Sequence, residues 1–202
     1  MIMDADTTTV EGRRSLGRPS RRWRIWIIAT AAMISIAIAV IAWAFAAGLW
    51  GAQARSEDLG VTVGQPKFLS ETELRGYGAS HAPVYWAGPM EDVNYEITEA
   101  SSGSTFVRYV PKSESAGSQE EFLTVATYPE QQGFKRLQDA SAEQDMGSQT
   151  TKSNALVVVN PNAPLSTYFS FPDASFQVEV FSPTPDESKQ MVLDGAIRLL
   201  EN

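Results

Sequence analysis

The sequence predicts an α+β fold behind a transmembrane helix, and three observations lead to that prediction. Residues 25–54 form a long run that carries no charge. Beyond this run, several segments alternate apolar and polar residues with the two-residue period of half-buried strands. Two later segments have the apolar spacing of amphipathic helices. We therefore expect a mostly antiparallel sheet of about seven strands, packed by two or three helices.

The uncharged run is long enough to cross a membrane. A bilayer core of roughly 30 Å needs about 20 apolar residues in a helix, and the stretch from Trp26 to Trp50 would rise about 36 Å. Trp23, Trp26 and Trp50 fall near its ends, where indole rings favour the headgroup layer. The sequence therefore predicts a transmembrane helix over residues 25–50, in contact with the lipid bilayer.

The charges on either side of this helix predict its orientation and the domain boundaries. Six arginines precede it, whereas Arg55 alone follows it directly. By the positive-inside rule, the N-terminus lies in the cytoplasm and the C-terminal part outside it. We expect a disordered basic cytoplasmic tail over residues 1–24 and a flexible Gly/Pro/Ser-containing tether over residues 51–68. An extracytoplasmic α+β domain follows over residues 69–202.

Two further features of the apolar run leave alternatives open. Ala52-Gln53-Ala54 has the small-x-small form that signal peptidase accepts, although the run is longer than the apolar core of a typical signal peptide. Ala31, Ser35 and Ala39 recur at four-residue intervals, a spacing that would let two helices pack closely as a weak homodimer.

The composition narrows the classes of function. The formal net charge is −8, and the basic tail leaves the rest of the chain more acidic still. An acidic domain argues against nucleic-acid partners, which reward basic patches. The absence of cysteine excludes disulfides, thiolate nucleophiles and cysteine metal sites. We expect no cofactor and no metal site, and a disulfide-free external domain suits a bacterial cell envelope.

Capping residues and periodicity predict the elements of the domain. Ser70 and Glu73 form a capping box that begins a helix of about two turns. Strands are predicted over 84–87, 94–99, 105–110, 122–128, 154–160, 167–171 and 176–181, and helices over 130–145 and 184–200. The continuous apolar run at 156–159 predicts a central strand. The alternation around Glu179 predicts that one face of the last hairpin is solvated.

A weak internal repeat accompanies these elements. The segments at Val84, Tyr95 and Phe106 are echoed by those at Val157, Tyr168 and Phe176. This pattern predicts a duplicated unit of three strands and a helix.

Four sequence segments suggest a family resemblance. They are residues 81–89 (HAPVYWAGP), 95–98 (YEIT), 107–111 (VRYVP) and 123–129 (LTVATYP). Over roughly residues 69–181, the chain resembles a group of uncharacterised bacterial single-pass membrane proteins. The resemblance implies an anchor followed by one external α+β domain, and it implies no activity and no catalytic residue.

Four residues are candidates for binding: His81, Tyr85, Trp86 and Arg108. His81 is the single histidine, so it is the one imidazole base available, but it could equally be exposed or locally bonded. Tyr85 and Trp86 could stack on a sugar ring or anchor a partner, although core packing also explains Trp86. Arg108 could clamp an anion, or pair with Glu96 across a hairpin.

These observations leave three classes of function. The first is a non-enzymatic binding or protein-interaction domain with a protein partner in the envelope. The second is an anchored enzyme that acts on a wall polymer or a small molecule near His81 and Trp86. The third is an accessory subunit whose helix packs within a larger membrane complex.

Overall fold

A computed structural model describes residues 59–81, 83–143, 146–161 and 163–201. The predicted tail, the predicted transmembrane helix over 25–50 and the first part of the predicted tether lie outside these residues. Within the described ranges, no helix combines the length and the apolar composition that crossing a membrane requires.

The described residues form a mostly antiparallel sheet with three helices, which confirms the α+β class. The strands are β1 (Lys67–Leu69), β2 (Tyr85–Trp86), β3 (Val93–Glu99), β4 (Thr105–Pro111), β5 (Thr124–Pro129), β6 (Gly147–Thr150), β7 (Leu156–Val159), β8 (Ser166–Ser170), β9 (Phe176–Phe181) and β10 (Arg198–Leu199). The helices are α1 (Glu71–Ser80), α2 (Gly133–Glu143) and α3 (Glu187–Leu193). Eight strands form one sheet in the order β1-β3-β4-β5-β9-β8-β7-β6, and β2 pairs with β10 in a separate ribbon.

Strand register assigns every side chain to one of two faces of the large sheet. The first face carries the main core, with Ile97, Val107, Val125, Val178 and Val180 all at 0% exposure. It is covered by α1, the β2–β10 ribbon and α3. The second face is covered over β7, β8 and β9 by α2, where Leu137 packs on Leu156 and Val158.

The capping box predicted for α1 is present. The Ser70 amide donates to Glu73 Oε2 at 2.8 Å, and the Glu73 amide donates to Ser70 Oγ at 3.3 Å. The Ser70 hydroxyl also donates to Glu73 Oε2 at 2.7 Å, and this bond, followed by the bond from the Ser70 amide, lowers the pKa of Glu73. The helix is longer than the predicted two turns, because it continues through Gly76 and Gly78 to Ser80.

The predicted helix over 184–200 is wrong in its second half. It ends at Leu193, Gly195 follows with φ +74°, and the chain then turns back as β10. No side chain caps its first turn, and Glu187 accepts a hydrogen bond from Ser182 Oγ. Leu200 is buried at 2% exposure, and its amide donates to the Val84 carbonyl at 2.7 Å.

Four predictions about the strands also need correction. The apolar strand β7 is not central, because the polar strand β6, which has no apolar periodicity, lies outside it at the edge. The 84–87 segment pairs with β10 rather than with the large sheet. Glu179, expected in solvent, is 7% exposed on the second face. The predicted count of about seven strands is also low, because the large sheet alone has eight.

Residues 61–68, assigned to the tether from the sequence, pack on the domain. Val61 is 5% exposed, the Gly64 amide donates to the Glu99 carbonyl, and β1 pairs with β3. Glycine and proline mark turns in this segment rather than a free linker.

The sheet also changes the strand equivalences of the predicted repeat. Its two halves are the meanders β3-β4-β5 and β7-β8-β9, so β3 corresponds to β7, whereas the sequence pattern matched β3 to β8. The helices that follow lie on opposite faces, and both pack on strands of the second meander. The duplication itself therefore stays a prediction.

Candidate functional site

The four residues predicted as candidates do not form one site. His81, Tyr85 and Trp86 belong to the layer of α1 and β2 on the first face of the sheet. Arg108 lies on the second face, opposite Glu96 in the β3–β4 register.

His81 is held locally at the end of α1. Its Nδ1 lies 2.7 Å from the Tyr77 carbonyl oxygen, which can only accept, so Nδ1 carries the proton. The imidazole stacks on the Tyr77 ring with a centroid distance of 3.8 Å. Ser80 Oγ is 3.0 Å from the same Nδ1, but a protonated nitrogen cannot take the serine proton. The pair therefore lacks the geometry of a serine nucleophile and its base.

The other ring nitrogen of His81 is the one buried side-chain polar atom without a partner in the described residues. Nε2 is an acceptor when the ring is neutral, and no described group donates to it. Histidines that bind a metal ion often have this arrangement, in which the opposite N–H donates to a backbone carbonyl. No cluster of three or more His, Cys, Asp or Glu side chains accompanies it in the described ranges.

Both aromatic candidates are buried. Trp86 is 1% exposed, and the guanidinium carbons of Arg75 and Arg198 lie 4.7 and 5.8 Å from its ring centroid. Tyr85 is 9% exposed and meets the edge of Phe169 at 5.6 Å. The expectation that one of the two rings could share a pocket is not met, because neither has a face open to a ligand.

Arg108 makes the predicted cross-strand pair. Its Nη1 donates to Glu96 Oε1 at 2.5 Å, and both side chains are nearly inaccessible. Its Nη2 donates to the carbonyls of Ser118 and Glu120, and the Gly117 amide donates to the other oxygen of Glu96. This pair fastens the 112–123 loop to the second face, so Arg108 has little capacity left for a ligand.

A second buried carboxylate lies on the same face without a cation. Glu179 accepts hydrogen bonds from the hydroxyls of Tyr128, Ser166 and Tyr168 at 2.8 to 2.9 Å. Burial, and then the charge of Glu179, raise the pKa of both tyrosines. The donors come from β5 and β8, which flank β9, so this cluster joins the two halves of the sheet. The sequence did not predict this cluster, because sequence patterns do not reveal the strand order that brings its residues together.

Among the described residues, one groove open to solvent lies at the β6 edge of the sheet. A groove of about 130 Å³ is lined by Gly147, Ser148 and Gln149 of β6, Val157 and Val159 of β7, and Lys189 of α3. Within the described part of the chain, Lys189 forms no ion pair. The groove combines an apolar floor, a cation and an edge strand, a combination suited to binding rather than to bond cleavage. The sequence did not predict the polar strand β6 that lines this groove, because β6 has no apolar periodicity.

No protein-family model, no curated protein and no solved structure matches this chain.

Proposed function

We propose that this chain is a membrane-anchored, extracytoplasmic binding or protein-interaction module of a bacterial cell envelope. The uncharged run over residues 25–54 and the arginine excess before it support the anchor and its orientation. The acidic, cysteine-free composition of the remainder supports an external position away from nucleic acid.

The observation that carries the binding part of the proposal is the groove between β6 and α3. It is open, and Lys189 has no carboxylate partner among the described residues beside it. By contrast, the buried charged groups on the second face are satisfied within the fold, Arg108 by Glu96 and Glu179 by three hydroxyls. The available recognition chemistry is therefore concentrated at one end of the sheet.

The anchored-enzyme alternative rests on His81, whose Nε2 has an unused lone pair. That nitrogen is buried, and the nearest hydroxyl, Ser80 Oγ, contacts the protonated Nδ1 instead. A histidine mechanism predicts that His81→Ala abolishes a measured hydrolysis of wall polymer. The accessory-subunit alternative predicts instead that replacing residues 25–50 with an unrelated membrane span abolishes complex formation.

The anchor can be tested with a C-terminal epitope tag on a flexible linker. We expect a full-length product that stays in membranes after carbonate extraction and whose tag is digested by protease added outside intact cells. The Ala54→Leu variant is the control, because it blocks a cleavage site at residues 52–54. A wild-type product that is released and shortened by some 54 residues, when the variant is not, would overturn the anchor proposal.

The binding function can be tested by crosslinking in native membranes. A photoreactive side chain at position 149, which lines the groove and leaves Lys189 in place, should trap a specific protein of the envelope. The same group at position 152, which is exposed, serves as the control and should trap nothing specific. Equal recovery at both positions would contradict a binding function at the groove.

A further inference from the structure

The outer edge of β6 has free backbone hydrogen-bonding groups. The Thr151 amide donates to the Ala155 carbonyl at 2.9 Å, so residues 151 and 155 face each other as a hydrogen-bonded pair. Bonded and non-bonded pairs alternate along an antiparallel ladder. Gln149 therefore bonds to β7, whereas the amides and carbonyls of Ser148 and Thr150 point away from it. In the described part of the chain, no strand pairs with that side.

This edge lacks the features that usually discourage further pairing. Natural sheets protect edges with charged residues, especially lysine, or with proline. The other edge strand, β1, carries Lys67, whereas β6 has the sequence Gly-Ser-Gln-Thr and no charge. All four residues of β6 are exposed. The edge is therefore open to the addition of one more strand.

The groove lies beside the outer edge of β6, on the first face of the sheet. Side chains of an added strand would alternate between the two faces. Those on the first face would lie beside Gly147 and Gln149 of β6 and extend toward Val159 and Lys189. A Cβ atom placed on Gly147 would meet nothing within 4 Å, so the groove is unobstructed at that end. An apolar side chain followed two residues later by a carboxylate fits this lining.

Charge favours a different protein over a second copy of this chain. If β6 paired with β6 of a second copy, the same faces would adjoin and the two Lys189 side chains would approach each other. Like charges brought together across an interface cost free energy. A carboxylate from another protein would instead give Lys189 an opposite charge.

We propose that β6 binds an extended peptide segment of a partner protein by strand addition, with a carboxylate of that segment paired to Lys189. Such binding uses main-chain hydrogen bonds for affinity and alternate side-chain sites for specificity. The inference rests on the proposed binding function and names the class of partner.

The test uses the full chain in detergent micelles and a labelled, capped heptapeptide. The peptide alternates threonine with valine, glutamate and valine, so that the glutamate occupies the central position. Ser148→Pro removes an outward amide without breaking the β6–β7 ladder, because that amide does not bond to β7. We expect at least tenfold weaker peptide binding, measured by fluorescence anisotropy. Ser148→Ala keeps the amide, so it is the matched control and should retain the peptide binding that Ser148→Pro loses.

Lys189 is tested with a matched pair of peptides. Replacing the central glutamate of the peptide with glutamine should weaken binding to the wild-type chain roughly three- to tenfold, and Lys189→Glu should remove that preference. Circular dichroism checks that each variant folds.

Three results would overturn the proposal: no binding of the glutamate peptide at 1 mM, equal binding by Ser148→Pro, or self-association of the chain that Ser148→Pro abolishes. The last would assign the edge to a second copy. Each can be found in a chain that remains anchored and oriented as proposed, so failure here is distinguishable from failure of the anchor. A partner that crosslinks at position 149 but not at 152, together with no peptide binding, would overturn strand addition alone.

Discussion

The buried ion pair of Glu96 and Arg108 attaches the 112–123 loop to the sheet through hydrogen bonds. Arg108→Met would leave Glu96, which is 0% exposed, without its cation. Removing one partner of a buried ion pair costs about 3–5 kcal/mol. We expect a loss of that size in the free energy of unfolding, measured by urea titration of the full chain in micelles.

The matched control for this experiment is the exposed pair of Lys112 and Asp92. Their side chains are 62% and 92% exposed and 3.4 Å apart. Exposed pairs contribute about 0–1 kcal/mol, so Lys112→Met should have little effect. Similar losses for the two variants would show that Arg108 does not stabilise the fold through its buried pair.

Four tyrosines, two buried and two half-buried, predict a loss of stability in alkali. Burial raises the pKa of Tyr77, Tyr109, Tyr128 and Tyr168 above the ordinary value near 10. Above about pH 10 the unfolded chain loses these protons while the folded chain keeps them, so folding stability falls as pH rises. Each tyrosine contributes a slope of up to about 1.4 kcal/mol per pH unit until its folded pKa is reached.

Urea titrations at pH 9, 10 and 11 measure this slope. Tyr128→Phe should fold and show a shallower decline, because phenylalanine has no proton to lose. A stability that is constant between pH 9 and pH 11 would contradict the prediction.

Of the two buried clusters with charged groups, the sequence predicts one and not the other. The Glu96–Arg108 pair was predictable, because both residues lie in one hairpin whose register follows from alternation. The Glu179 cluster was not, because its tyrosines come from β5 and β8. Only the strand order places these on either side of β9.

At the scale of elements, two glycines in α1 have opposite roles. A Cβ atom on Gly78 would lie 2.7 Å from side-chain carbons of Leu200. A Cβ atom on Gly76 would meet nothing within 4 Å. Gly78→Ala should therefore destabilise the domain. Gly76→Ala should stabilise it by roughly 0.5–1 kcal/mol, because alanine favours a helix.

Thermal unfolding followed by circular dichroism distinguishes the two substitutions. Both change one glycine in the same helix to the same residue, so each is the control for the other. A rise in the melting temperature for both would show that the contact of α1 with Leu200 is not tight.

The elements that the sequence mispredicted have a common cause. The apolar spacing of residues 192–200 fits a helix, but Gly195 ends it and β10 finds a partner in β2. The strand β6 is polar and exposed, so periodicity cannot detect it. In both cases, pairing with another segment decides the conformation, a distant one for β10 and the adjacent strand β7 for β6.

At the scale of the molecule, both faces of the sheet are covered, which the sequence predicted only in part. The apolar run of β7 correctly indicated a strand buried on both sides, since Leu156 and Val158 meet α2 while Val157 joins the main core. The strand β7 lies next to the edge of the sheet, because β6 pairs with its outer side. The two meanders were predictable as local hairpins, whereas the β5–β9 pairing that joins them is too distant in sequence.

The position of Leu200 between Val84 and α1 has a consequence for synthesis. The helix α1 emerges early, yet Gly78 packs against a side chain that is made more than a hundred residues later. Ribosomes add residues one by one from the N-terminus, so the main core on the first face of the sheet stays incomplete until residues 198–200 have emerged. Until then, the apolar sides of α1 and β2 lack the partner that Leu200 supplies.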